Sequence, residues 1–436
     1  MDLNQTISTM AQQMLPEMIA QRRDFHKYAE TGWLEMRTSS IIARKLTDLG
    51  YEVLVGEDVC DRDSRMGVPS DAVLEENYQR AIAQGADPEF VPYTKGGMTG
   101  VIGILRCGEG PTVAMRFDID ALGVFESSDD AHLPAKEGFA SVNHGCMHAC
   151  GHDGHATIGL GVAKILMAIK DSLHGTIKLI FQPAEEGVRG AKSIVEKGHL
   201  DGVDFFLGNH ISGCSEASGD AKLIPGVYTS LATTKYDVVY HGKASHAGAS
   251  PHQGRNALLA AAAAVVNLYA IPRHGKGASR INVGTLHAGS GRNVIADEAK
   301  MELEIRGSTT EINDYMTEYA SKILANTADM YGCTYECKLM GAAEALCSDK
   351  VLADRVARVS NEALGIPTIE IPVAGGSEDI SYMMNRVQQQ GGQAVFMRTL
   401  TKMSGVSHGV YYNFDESVLR NAVSVFCAVV ADITKI

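Results

Sequence analysis

The chain has 436 residues, 45% of them hydrophobic, and a formal net charge of −13, which sets a prior of two domains with full-sized cores. The acidic balance argues against nucleic acid or an anionic membrane as the main partner, while a small anionic substrate stays open because local charge can oppose the net value. Nine scattered cysteines and an N-terminus without the basic and apolar regions of a secretory signal fit reduced thiols and a cytoplasmic location.

Residues 4–49 read as helix, with Ile42, Leu46 and Leu49 at helical spacing, a break at Glu30-Thr31-Gly32 and a stop at Gly50. Residues 51–55 read as a strand. Segment 56–97 carries Pro69, Pro88, Pro92 and a helical piece over 72–84, and reads as a surface insertion. Apolar runs at 100–105 and 112–117 predict two strands, the second ending in Asp118-Ile119-Asp120. The stretch His148-Ala149-Cys150-Gly151-His152-Asp153-Gly154-His155 then opens a helix to about residue 170, with Asp153 a candidate N-cap. A buried-type strand at 176–181 leads into Gln182-Pro183-Ala184-Glu185-Glu186-Gly187, and the run 203–208 ends at Asn209-His210. The most apolar stretch, 257–266, is alanine-rich and too short to span a bilayer.

The texture changes after about Pro225. Strand 228–240, helix 254–270, strands 280–288 and 298–306, helix 310–331 and strand 334–339 give the order βαββαβ, the ferredoxin-like plan, complete in about 110 residues. The expected organisation is therefore a doubly wound α/β domain with a mixed sheet, residues 1–225 plus 340–436, carrying an inserted ferredoxin-like domain, residues 226–339. After the insert, helix 351–364, a short strand 368–373, a helix from Ile380 that starts near Ser377 or Glu378, strand 393–398 and a terminal helix 416–436 complete the first domain.

Cys150 and His152 sit two apart, and a thiolate with an imidazole suits zinc or a similar borderline cation. Further ligands have to come from elsewhere, with Glu185, Glu186, His210 and His408 as candidates. Asp118 and Asp120, the Glu185-Glu186 pair and His210 each follow a candidate parallel strand, and in a doubly wound sheet those ends lie together. In an adjacent Glu pair, one side chain can bind metal while the other takes a proton from water. Cys146 is an alternative ligand to Cys150. His144, His148 and His155 read as supporting or capping residues, and Cys333 and Cys337 as core or loop thiols.

The stretches Asp118-Ile119-Asp120-Ala121-Leu122, Met147 to His155, Phe181 to Gly187, Gly242 to Gly248, Gly291-Arg292-Asn293-Val294-Ile295 and Gly376-Ser377-Glu378-Asp379 span most of the chain. In them the sequence resembles the dinuclear-metal amidohydrolases that include aminoacylases, hippurate hydrolase and auxin-conjugate hydrolases. Segment 56–97 and the ending around His408 look most like the branch acting on aminobenzoyl-glutamate. The resemblance implies two divalent ions per subunit, zinc or manganese, held by Cys150, His152, Glu186, His210 and His408, with Cys150 bridging. It implies Asp118 and Asp120 as groups that orient the ligands, Glu185 as general base and then acid, and His246 as the oxyanion's support, reaching a neighbouring subunit's site. Asn293 and Arg306 would hold the substrate carboxylate, a task that suits the arginine fork. One departure stands out: relatives follow the last ligand with Asn-Pro or a similar pair, and here the text is Ser407-His408-Gly409-Val410.

The expected activity is hydrolysis of the amide bond of an N-acyl or N-aroyl amino acid, with p-aminobenzoyl-glutamate first and hippurate-like amides second. A weakly active subunit that needs a related partner chain, and a small-molecule carrier using the insert as a lid, are the competing readings. The expected partners are the small-molecule substrate and a second subunit in a homodimer or heterodimer, with no nucleic acid and no membrane.

Overall fold

The computed structural model describes residues 2–372 and 376–435. They fall into two compact units, one of Met1–Tyr228, Cys347–Val373 and Asp379–Ile436, the other of Thr229–Leu346 and Ala374–Glu378. Strands β1 (Glu52–Val55), β2 (Val101–Arg106), β3 (Thr112–Asp118), β4 (Thr176–Gln182), β5 (Phe205–Gly213) and β6 (Leu223–Ile224) precede the second unit. That unit carries β7 (Ala232–His241), β8 (Ser279–Ala288), β9 (Glu298–Gly307) and β10 (Thr334–Ala343), and β11 (Gln393–Thr401) follows it.

The first unit is built on a seven-stranded sheet of order β1-β2-β4-β3-β5-β11-β6. Its centre is parallel: β4 with β3, β3 with β5, and β5 with β11. The margins are antiparallel, through β1, β2 and the short β6. Strand β3 is buried almost throughout, as a strand covered on both faces must be. The helix His152–Ala168 is covered in the same way. Gly159 lets it settle on the sheet, since a Cβ there would come within 2.6 Å of Phe181 and 2.8 Å of Phe117. Those two rings meet at a tilt, and Phe117 also meets Phe426 of the helix Val418–Thr434 edge-on, so the last helix closes the core.

In the second unit the sheet order is β10-β7-β9-β8 and every pair is antiparallel. With helices Ala257–Tyr269 and Thr310–Met330 between the strands, this is the ferredoxin-like arrangement. Ala260, Ala261 and Ala264 of the first helix and Met316, Ala320 and Leu324 of the second bury one sheet face with Val238, Tyr240, Leu303 and Ile305. The helices start at side-chain caps, Asn256 to Leu259 N and Thr309 to Ile312 N.

Four local expectations change. Asp153 is not an N-cap: Gly151, at φ +99°, occupies that place, and Asp153 turns inward to Arg22 at 2.8 Å and His26 at 2.7 Å. His210 does not follow β5 but lies inside it, because β5 runs on alongside β11 after its pairing with β3 stops at Gly208. No strand forms over 368–372. Pro367 and Pro372 bracket that stretch and remove donors, so Thr368 makes one bridge to Leu223; Val373 and Gly375 lie outside the described residues. The helix expected over 351–364 ends as an α-helix at Arg358 and finishes in a π-turn, Val359–Ala363.

Candidate metal centre and its supports

The first unit brings Cys150, His152, Glu185, Glu186, His210 and His408 into one cluster. Cys150 belongs to two groups whose ligand atoms all lie within 4.8 Å of one another, one with His152 and His210, the other with Glu186 and His408. Its Sγ is 3.3 Å from His210 Nε2. His152 Nε2 lies 4.0 Å from both Glu185 Oε2 and Glu186 Oε1, and His408 Nε2 is 3.7 Å from Glu186 Oε1. His408 stands at φ +65°, with its N–H donated to Ala149 O at 2.8 Å, so the octet itself holds the strained turn that presents this ring.

These residues fit a metal. His152 Nε2 and Glu186 Oε1 are buried and have no hydrogen-bond partner, a costly state unless a cation lies between them. The outer nitrogens are already engaged. His152 Nδ1 meets Asp120 Oδ1 at 3.2 Å, and His210 Nδ1 donates to Ile211 O at 2.6 Å. That leaves each Nε2 as the lone-pair nitrogen facing the cluster, the usual way in which ligating histidines are oriented.

Burial dominates the ionisation of the cluster. It raises the Cys150 thiol well above its ordinary value, although His152 pulls the other way. It also lifts the Glu186 carboxyl to about 7, against the pull of His152 and helped by the charge on Asp120. Burial would lower His152, but Asp118 and Cys150 carry it well above the usual imidazole value; His210, desolvated and close to Arg398, is pushed well below it. Asp118 is desolvated too, yet Arg116, His152 and His155 hold it far down as a carboxylate. A bound cation would replace this mutual compensation and keep the thiolate and carboxylates ionised.

The loop Pro183–Gly190 carries Glu185 and Glu186, and three buried carboxylates fix it. Asp120 accepts from Glu185 N at 3.1 Å and Glu186 N at 2.9 Å. Glu35 accepts from Ala184 N at 2.7 Å and from the Thr99 hydroxyl at 2.7 Å. Asp379 accepts from Gly190 N, Ala191 N, the Gln182 amide and Arg116. Ala184 and Val188 sit at φ +51° and +61°, so the loop is strained on both sides of the Glu pair. Arg189 donates from Nε to Glu186 O at 2.8 Å and from Nη1 to Gly67 O at 3.2 Å, which ties the insertion 56–97 to this loop.

Glu35 and Arg116 are absent from the sequence expectations, and Asp379 enters them only as the end of the stretch Gly376-Ser377-Glu378-Asp379, without a role. Arg116 offered a signal, a charged residue inside an otherwise apolar strand. Cys146 is buried beside Ala29 and Ala121 and belongs to none of the ligand groups. His155 uses both nitrogens, toward Asp118 Oδ1 at 2.5 Å and Ile211 N at 2.8 Å. His148 is buried with neither nitrogen bonded, and burial lowers it to about 4.

The second unit brings His246 and Asn293 together, through an isolated bridge between His246 and Val294 and a bond from Ala247 N to Asn293 O. Both residues are exposed. Arg306 lies on β9, paired with Glu304 at 2.9 Å.

The family model for peptidase family M20/M25/M40 matches residues 114–432. The chain belongs to the M20 family. As an M20 chain it is a metal-dependent hydrolase of amide bonds. It is 47% identical over 416 residues to an indole-3-acetyl-aspartic acid hydrolase of Enterobacter agglomerans, covering 94% of each chain. It is 44% identical to one named subunit of the p-aminobenzoyl-glutamate hydrolase of Escherichia coli (strain K12), over 97% of this chain and 96% of that one. Among solved structures, the aminobenzoyl-glutamate utilization protein from Klebsiella pneumoniae superposes with a TM-score of 0.83 at 39% identity, over 99% of this chain and 98% of that one. Among the described residues, no helix of this M20 chain is long and apolar enough to cross a membrane.

Proposed function

We propose that this M20 hydrolase cleaves p-aminobenzoyl-glutamate to p-aminobenzoate and glutamate. The observation that carries the reading is the convergence of Cys150, His152, Glu186, His210 and His408 beside Glu185, in a chain similar to hydrolases whose names carry that substrate and indole-3-acetyl-aspartic acid. These five residues would hold two divalent ions, zinc or manganese, and Cys150 belongs to two of the ligand groups. When bound, the ions would polarise the amide carbonyl and acidify water toward neutrality.

Glu185 takes the proton of the attacking water on a carboxylate oxygen and delivers it to the amide nitrogen as the C–N bond breaks. Asp120 fixes the base by holding the backbone N–H groups of both glutamates. His246 donates to the oxygen of the tetrahedral intermediate. Asn293 and Arg306 hold the substrate carboxylate. The first unit is thus the catalytic, metal-holding domain and the second the substrate-holding and pairing domain of a dimer.

A second reading is that full activity needs a related partner chain. The Escherichia coli relative favours it, because its name makes it one subunit of a hydrolase. Turnover of p-aminobenzoyl-glutamate by the purified chain with zinc or manganese, beside a Glu185→Ala control, tests both. Release of p-aminobenzoate by the chain alone, lost in the control, supports the first reading. Release only on adding a partner supports the second, and release in neither case removes this substrate.

A further inference from the structure

The sheet of the second unit buries one face under its two helices; the other face carries charged residues of β8 and β9. There β8 offers Arg280 and Asn282, and β9 offers Glu304 and Arg306. With Arg273 and Ser279 they line a cavity of about 510 Å³ lying wholly within this unit. Arg280 and Arg306 are direct cross-strand partners. Like charges in that relation destabilise a strand pair, so the placement asks for a counter-charge. Glu304 compensates Arg306. Arg273 and Arg280 are exposed and have no carboxylate within ion-pair distance among the described residues. Three arginines against one glutamate leave two positive charges uncompensated, in a chain whose net charge is −13.

Two negative charges on one small molecule match this cavity. The names of the two relatives specify aromatic halves that differ, indole-3-acetyl and p-aminobenzoyl, but amino-acid halves of one kind, aspartate and glutamate. In either amide both carboxylates of that half stay free. We propose that Arg273 and Arg280 bind the side-chain carboxylate of a dicarboxylic amino-acid half, beside the carboxylate held at Arg306, and so select acidic amino-acid conjugates. This rests on the substrate reading above and adds the residues that read the second charge. Arg280 can address a carboxylate with two parallel N–H donors, and Asn282 and Ser279 supply neutral donors at the same mouth.

The experiment compares p-aminobenzoyl-glutamate with p-aminobenzoyl-glutamine, which keeps the shape and removes the charge. The native enzyme is expected to prefer the glutamate amide by about tenfold or more in kcat/KM, the size of one charge-assisted contact. In the Arg273→Gln/Arg280→Gln double variant the ratio is expected to fall toward one, through KM and not kcat. A native ratio near one, or a ratio the double variant leaves unmoved, overturns the proposal. If the native chain turns over neither amide, the substrate reading fails, and calorimetric titration with free L-glutamate and L-glutamine decides the cavity. Tighter L-glutamate binding that the double variant weakens supports it; equal binding of the two overturns it.

Discussion

Glu35 accepts the backbone N–H of Ala184 at 2.7 Å, one residue before Glu185 and at a position held in the left-handed region. Glu35→Ala strips the acceptor from a strained, buried backbone group, at a cost of about 1–3 kcal/mol. It also frees the turn that aims Glu185, so kcat should fall by more than tenfold with KM little changed. Glu35→Gln retains an acceptor oxygen and should restore most of kcat. Equal kcat in the two variants would show that Glu35 does not position the turn.

The same residue sets a pH dependence. Burial first, and the charge on Asp120 second, push Glu35 up to about 8 from an ordinary 4.5. Between those values the folded chain holds a proton that the unfolded chain has released. The stability this confers is fully present below about 4.5 and is lost as pH rises through about 8. The urea midpoint of the native chain should therefore fall relative to that of Glu35→Gln, which has no such titration, as pH is raised from about 5 to about 8.5. Parallel curves would contradict the raised value.

Removing the proposed base should separate chemistry from metal binding. Glu185→Ala is expected to lower kcat by roughly 10²–10⁴ while the protein keeps its metal content by atomic absorption. Loss of metal together with activity would mean that Glu185 is a ligand and not the base.

Metal removal should also register in stability. His152 Nε2 and Glu186 Oε1 are buried without a hydrogen-bond partner, and Cys150 groups with each of them; an ion bound only by the folded state stabilises it by mass action. Dialysis against a chelator should lower Tm, and zinc or manganese should restore it. In Cys150→Ala that recovery should be largely abolished, since this thiol belongs to two ligand groups. Full recovery in the variant would count against a shared thiolate.

Arg22 and Asp153 make a fully buried ion pair at 2.8 Å, directly after His152. Arg22→Ala leaves a carboxylate buried without its cation and should destabilise the chain by about 3–5 kcal/mol in urea unfolding. A change below about 1 kcal/mol would mean that His26, at 2.7 Å, compensates Asp153 unaided.

Asp120 and the Glu185-Glu186 pair are legible because they follow apolar runs. The parallel core makes runs such as β3 and β4 continuous, so polar residues after them mark the edge where sites form. Glu35 and the clamping role of Asp379 carry no such mark. A carboxylate that accepts a backbone N–H far along the chain leaves no local pattern, and Glu35 is 149 positions from its partner. Asp153 illustrates the converse. Its position looked like a cap, but a buried arginine from the first helix overrode the local backbone. His210 is expected after the strand and lies inside it because the apolar run stops where the strand does not.

Asp379 holds Gly190, Ala191 and Gln182 across nearly two hundred positions, with the entire second unit between them in sequence. A nascent chain that has produced the octet and both loop glutamates therefore still lacks the clamp on their loop, and His408 comes later still. Such long-range closures are late events in folding. The proposed centre is then withheld during synthesis, and ion capture is deferred until Asp379 and His408 have both emerged.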